Sequence, residues 1–149
     1  MKNKKGFTLI ELMVVMVVIS ILIGIAIPRF KGMQDQANVS KAQMELRTVQ
    51  AAIESFYVNQ VPKEYPNTSD SVIADQLLDA TPKIVNEILY DPFLPQQEYN
   101  YILSDDEQFY VIFSAGVNRV YDITGIEDET GQLLGDQADD PFVTNGLGW

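Results

Sequence analysis

From Phe7 to Ile27 the chain runs 21 residues with Glu11 as its one charged side chain. Coiled as an α-helix, such a run measures about 30 Å, the thickness of a bilayer's hydrocarbon core. Past Pro28 the pattern turns from uniformly apolar to periodic. Val39, Ala42, Leu46, Val49, Ile53 and Phe56 recur at alternating steps of three and four, which lays one apolar stripe along a helix. Lys41, Glu45, Arg47 and Glu54 fall mostly off that stripe. The two stretches together predict one long helix over residues 7–57, its first half suited to lipid and its second to a globular head. A coiled coil is the competing reading, but only about two and a half heptads support it. Gly24 and Pro28 interrupt the apolar stretch. Proline removes a backbone donor and crowds the preceding turn, so a kink or a local melting is expected there.

After the helix, Val61-Pro62 is a stop and the segment Tyr65 to Ser69 is turn-rich. Ser69 or Ser71 is placed to cap a short helix carrying Val72, Ile73, Leu77 and Leu78, and Thr81-Pro82 reads as a second helix start. Strands are expected at residues 99–103, 109–114 and 120–124. The short turns between them favour an antiparallel meander with one face over the helix stripe. The Tyr and Phe residues alternate as sheet residues do, which suits a core better than ligand stacking. The fold class is therefore α+β. No internal repeat, glycine-rich phosphate loop or low-complexity tract is present.

Composition narrows the chemistry. The 149 residues carry 10 Lys+Arg against 21 Asp+Glu, a formal net charge of −11. No basic stripe exists to displace counterions from phosphates, so a nucleic-acid partner is not expected. Cysteine and histidine are both absent. That removes disulfides, thiolate and imidazole metal sites, and Ser-His-Asp catalysis. From Ile84 to Trp149 there are thirteen acids and the single base Arg119, a surface suited to divalent cations. The leader Met1 to Gly6 has Lys2, Lys4 and Lys5 and no acid. The positive-inside rule then keeps the N-terminus in the cytoplasm and sends the head across the membrane.

Three readings account for a basic start followed by an apolar run. One is a secretory signal peptide cleaved after the small residues Gly24-Ile25-Ala26, but the run is long for that purpose. Another is a plain anchor, in which a carboxylate at Glu11 costs about 2.5–3.5 kcal/mol for no return. The third explains the acid. Gly6-Phe7-Thr8-Leu9-Ile10-Glu11, with Pro28 farther on, resembles the processing site of type IV prepilins and the related pseudopilins of type II secretion. The resemblance implies a prepilin peptidase that cuts between Gly6 and Phe7 and methylates the new amine of Phe7. It further implies that Glu11 meets this amine on a neighbouring subunit during assembly. A buried charge is tolerable only when paired, and that requirement agrees with the implied role. In filaments of this family the stretch corresponding to Gly24 to Pro28 can unfold on packing.

The head is similar in order of motifs to the major pseudopilin of type II secretion. The matching segments are Tyr65-Pro66-Asn67-Thr68, Asp91-Pro92-Phe93, Ser114-Ala115-Gly116-Val117-Asn118, and the tail from Asp139-Asp140-Pro141-Phe142 to Trp149. In that family calcium is bound by an acidic C-terminal loop. The resemblance implies Asp139 and Asp140 as first ligands, with Asp136 and Asn118 as weaker ones. Asn118 stands where the family places an Asp, Leu94 where it places a glycine, and Pro141 sits inside the acidic loop. A solvated acidic loop without metal is the alternative.

The expected organisation is a leader at 1–6, a transmembrane and filament-core helix at 7–28 and a periplasmic head at 29–149, together a type IV pilin-like fold. The expected function is a non-enzymatic subunit that polymerises with copies of itself. Minor pseudopilins or pilins, an inner-membrane assembly platform and, before assembly, membrane lipid are the implied partners. A pseudopilus subunit is favoured, and a type IV pilin for adhesion, twitching or DNA uptake is second. From another class, an anchored or secreted carboxylate enzyme or binding protein would draw on Asp105-Asp106 and Glu127-Asp128-Glu129, acids that suit a solvated surface better.

Overall fold

A computed structural model describes residues 6–69, 71–136 and 139–147. Lys2, Lys4, Lys5 and Trp149 lie outside the described residues. Helix α1 spans Leu9–Asn59, 51 residues, and continues through both Gly24 and Pro28. No local melting occurs between them in the single chain, where the helix is continuous. Gly24 is the residue whose carbonyl the Pro28 ring crowds, four positions upstream, and a glycine there lets the backbone yield without breaking the helix.

The chain divides after Gln36 into two compact units. In the first, the apolar side chains stand in the open, from Phe7 through Ile19 and Ile27 to Met33. This portion of α1 is long and apolar enough to cross a membrane.

The second unit begins at Ala37. There α1 buries Ala42, Leu46, Val49, Ala52 and Ile53, the middle of the stripe read from the sequence with Ala52 added, while its end members Val39 and Phe56 are half-buried. They pack with Val72, Ile73, Leu77, Val85, Tyr99, Tyr101, Tyr110 and Ile112. Two carboxylates flanking the stripe tie α1 to the strands. Tyr99 donates its hydroxyl proton to Glu45 at 2.6 Å, and Tyr110 donates to Glu54 at 2.7 Å.

Five strands follow: β1 Asn100–Leu103, β2 Tyr110–Phe113, β3 Ile123–Ile126, β4 Leu133–Gly135 and β5 Phe142–Thr144. The expected meander is replaced by a three-stranded sheet in the order β1-β2-β5 and a separate hairpin of β3 with β4. All pairings are antiparallel, and β5 joins β2 through Val111↔Thr144, Ile112↔Val143 and Phe113↔Phe142. The reason lies in β2, whose four residues are all buried. Tyr110 and Ile112 belong to the helix-side core, whereas Val111 and Phe113 pack with Ile123, Ile126 and Leu133. A strand apolar on both faces needs a second layer, and the β3–β4 hairpin supplies it instead of extending the sheet. The third strand starts at Ile123, later than Val120, because the preceding turn runs through Arg119 at φ 63°.

The two short helices also differ from expectation. The first is a single π-helical turn, Ile73–Leu77, with no side-chain cap from a serine at its start. Glu98 from across the fold accepts the N–H groups of Ile73 at 2.9 Å and Ala74 at 3.3 Å. No helix forms after Thr81-Pro82. Of residues 83–90 only Val85 is buried, with Leu89 partly buried against the same core.

Candidate assembly and cation sites

At the start of α1, Gly6 and Phe7 lie in non-helical backbone, and Phe7 is 89% exposed. A Cβ built on Gly6 meets nothing within 4 Å, so the fold of the chain itself does not demand a glycine there. Thr8 is the N-cap residue of α1. Its backbone N–H and its hydroxyl both donate to Glu11 Oε2, at 2.9 and 2.8 Å, while Glu11 N–H donates back to Thr8 Oγ1 at 3.3 Å. This reciprocal arrangement is a capping box, which satisfies orphan donors at a helix start. Its signature, Thr-x-x-Glu before an apolar run, was present in the sequence and gives Glu11 a second, local role. The box turns the carboxylate back toward Phe7. Among the described residues no donor reaches Oε1, which stays available for a cation.

In the head, the carboxylates of Asp122, Asp139 and Asp140 offer oxygens that lie within 4.8 Å of one another. Asp140 is 5% exposed. Its Oδ2 accepts the N–H groups of Asp122 at 2.8 Å and Ile123 at 3.4 Å. Its Oδ1 is buried and has no hydrogen-bond partner among the described residues. Burial, and then the neighbouring charges of Asp122 and Asp139, push the Asp140 carboxyl above the usual aspartate range. Asp139 Oδ2 accepts the N–H of Asn118 at 2.8 Å.

Asn118 and Asp136, the two weaker expected ligands, are not in this group of three carboxylates. Asn118 donates from Nδ2 to Asp122 Oδ2 at 2.7 Å and accepts the Val120 N–H at 2.7 Å, so it positions a carboxylate. An aspartate there would have no N–H to give. Asp136 is exposed just past β4, and its backbone N–H donates to Asp122 O at 3.1 Å. Its carboxylate is not among the three that gather. Asp122 was not singled out from the sequence. It stands 17 residues before Asp139, and only the turn between β2 and β3 brings the two together. Gly116, at φ +63°, is required by this approach, since a Cβ there would lie 2.5 Å from Asp139 O.

The acids weighed for a carboxylate enzyme make local contacts. Asp106 Oδ1 accepts the Ser104 hydroxyl and the Gln108 N–H, and Asp128 Oδ1 accepts the Asp105 N–H. The polar cleft of about 510 Å³ near Ser71, Tyr90, Asn100 and Tyr121 has Glu98 as its carboxylate. Both oxygens of Glu98 already hold the π-helical turn.

Residues 1–27 match the family model described as the prokaryotic N-terminal methylation motif. The chain is 27% identical over 140 residues to the type II secretion system core protein G of Klebsiella michiganensis, covering 87% of this chain and 93% of that protein. It is 44% identical over 72 residues to the type IV narrow pilus major component PilA5 of Thermus thermophilus, covering 48% and 59% of the two chains. It is 33% identical over 73 residues to the core protein G of Pseudomonas aeruginosa, covering 49% and 50%. No solved structure matches it significantly. With a methylation motif ahead of a long apolar helix, a small antiparallel sheet behind it, and pilins and pseudopilins among the proteins it matches, the chain is similar to type IV pilins and type II secretion pseudopilins, and its α+β architecture is consistent with theirs.

Proposed function

We propose that this chain is a non-enzymatic structural subunit of a helical filament, specifically the major pseudopilin of a type II secretion system. The observation that carries the reading is the uncovered apolar face of residues 7–33, with one carboxylate at its start turned toward Phe7. Such a surface has two suitable environments, lipid and other copies of itself. In the precursor the helix crosses the inner membrane with its basic end in the cytoplasm. A prepilin peptidase cleaves after Gly6 and methylates Phe7. The new ammonium then pairs with Glu11 of an adjoining subunit as an assembly platform lifts the helix from lipid into the filament, where minor pseudopilins are further partners. Similarity along nearly the whole of the Klebsiella protein favours a pseudopilus over a pilus, since the pilin match stops at about half of this chain.

Coexpression with a prepilin peptidase followed by intact-mass analysis and N-terminal sequencing tests this reading. A mature chain starting at methylated Phe7 is expected. A chain starting at Ile27 would mark a secreted protein and overturn it.

The head is proposed to bind calcium. Asp122, Asp139 and Asp140 would hold the ion, and the unpartnered Asp140 Oδ1 is the atom that supports a ligand there. Three carboxylates with nearby carbonyls suit a hard cation that takes six to eight oxygens in flexible geometry. The bound ion would offset the mutual repulsion of the three acids and fix the C-terminal loop where no disulfide is available.

A further inference from the structure

Outside the acidic cluster lies a second buried carboxylate that the proposed function does not use. Asp91 is 1% exposed. Its Oδ1 accepts the Phe93 N–H and the Ser114 hydroxyl, each at 2.9 Å, and its Oδ2 accepts the Ala115 N–H at 2.8 Å. Three donors satisfy it, so it has no ligand of its own to seek. Those donors lead toward the cation site. Ser114 Oγ accepts the Gly116 N–H at 3.4 Å, and Ser114 N–H donates to Pro141 O at 2.9 Å. Gly116 lies against Asp139, and Asn118 in the same turn holds both Asp139 and Asp122. The turn 114–119 is thus fixed to Asp91 at one end and, through Asn118, holds Asp139 and Asp122 at the other.

We infer that Asp91 is the positioning residue of the calcium site: its buried carboxylate fixes the 114–119 turn so that Asp122, Asp139 and Asp140 converge before any ion arrives. The inference rests on the calcium reading above. Three like charges do not gather unaided, and a preset turn removes the ordering cost that cation binding would otherwise carry. Asp91 acts through Ser114 and Ala115 and touches no ion itself.

The test compares D91N, S114A and E98Q in the full-length chain in detergent micelles, by calorimetric calcium titration. D91N sets an amide against the Ala115 N–H or the Ser114 hydroxyl without changing volume. Calcium affinity is expected to fall at least tenfold in D91N and severalfold in S114A. E98Q removes a charge from the other satisfied buried carboxylate, whose side chain holds the π-helical turn instead, and is expected to lower the melting temperature with affinity kept within twofold. In calcium-free buffer, hydrogen exchange at the Asn118 amide should quicken in D91N and not in E98Q. Wild-type affinity in D91N, or an equal loss in D91N and E98Q, would overturn the role of Asp91 while leaving calcium binding intact. Should D91N fail to fold, undiminished affinity in S114A overturns it instead. A wild-type chain that takes no calcium would remove the cation reading and this inference together.

Discussion

Replacing Asp140 by Asn isolates the energetic problem at the centre of the head. In the wild-type chain one carboxylate oxygen is buried without a partner among the described residues, while Asp122 and Asp139 stand beside it. An unsatisfied buried polar atom costs about 1–3 kcal/mol. Asn keeps an oxygen for the Asp122 N–H and turns an NH₂ toward the two remaining acids, so the variant relieves that cost. For a head of about a hundred residues each kcal/mol moves the midpoint by roughly 4 °C. Asp140→Asn should therefore melt about 4–12 °C higher than wild type in EDTA at pH 7. Calcium narrows or reverses that difference. With a dissociation constant of about 10⁻⁴–10⁻³ M, as in extracellular modules, 10 mM calcium stabilises the wild type by roughly 1.4–2.7 kcal/mol and the variant far less. The pH dependence has a definite sign. Folded Asp140 holds its proton more tightly than the unfolded chain does. Its contribution to stability in EDTA is therefore greatest in acid, and declines as pH rises from the ordinary aspartate value to the raised one. Asp140→Asn should lose that slope. Differential scanning calorimetry of the full chain in micelles, with and without calcium between pH 4 and 7, measures all of these. A variant less stable than wild type in EDTA, or a wild type indifferent to calcium, would refute the reasoning.

Other perturbations probe the remaining links. Leu46 is fully buried between α1 and the sheet, so Leu46→Ala should cost about 2–5 kcal/mol, read from denaturant midpoints of the full chain. Tyr110→Phe removes the donor to Glu54 and should cost about 1.5–3 kcal/mol by the same assay, with α1 still helical by circular dichroism. Glu11→Ala lies outside the head, so the head's melting temperature should hold while filament yield in sheared or sedimented fractions collapses. Normal filaments from that variant would contradict the pairing role.

The sequence disclosed its periodic features best. The stripe from Ala42 to Ile53 and strands β1 and β2 were legible because burial on one helix face, or in a short apolar run, leaves a local pattern. The arrangement of the later strands was not. Leu133–Gly135 and Phe142–Thr144 are three residues each, too short to carry a period, and the unbroken apolar run of β2 showed only afterwards that it needed cover on both faces. Caps drawn from distant residues were equally hidden. Glu98 holds the N–H groups of Ile73 and Ala74 from 25 and 24 residues away, whereas the Thr8–Glu11 box sat in plain view as a four-residue motif. At the acidic site, Asp139 and Asp140 announced themselves as a pair in a charged tail. Asp122 joined them only through the geometry of a turn, in which Asn118 braces both Asp139 and Asp122.

The central claim is that Glu11 exists to receive a cationic chain start from an adjoining subunit. A cryo-electron microscopy reconstruction of filaments assembled from the processed chain, at side-chain resolution, tests it most directly. The account predicts the methylated amine of Phe7 from one subunit within hydrogen-bonding distance of Glu11 on its neighbour, with Thr8 still holding Oε2 as it does in the single chain. A filament in which Glu11 faces lipid or an apolar wall, with every Phe7 amine elsewhere, would contradict it.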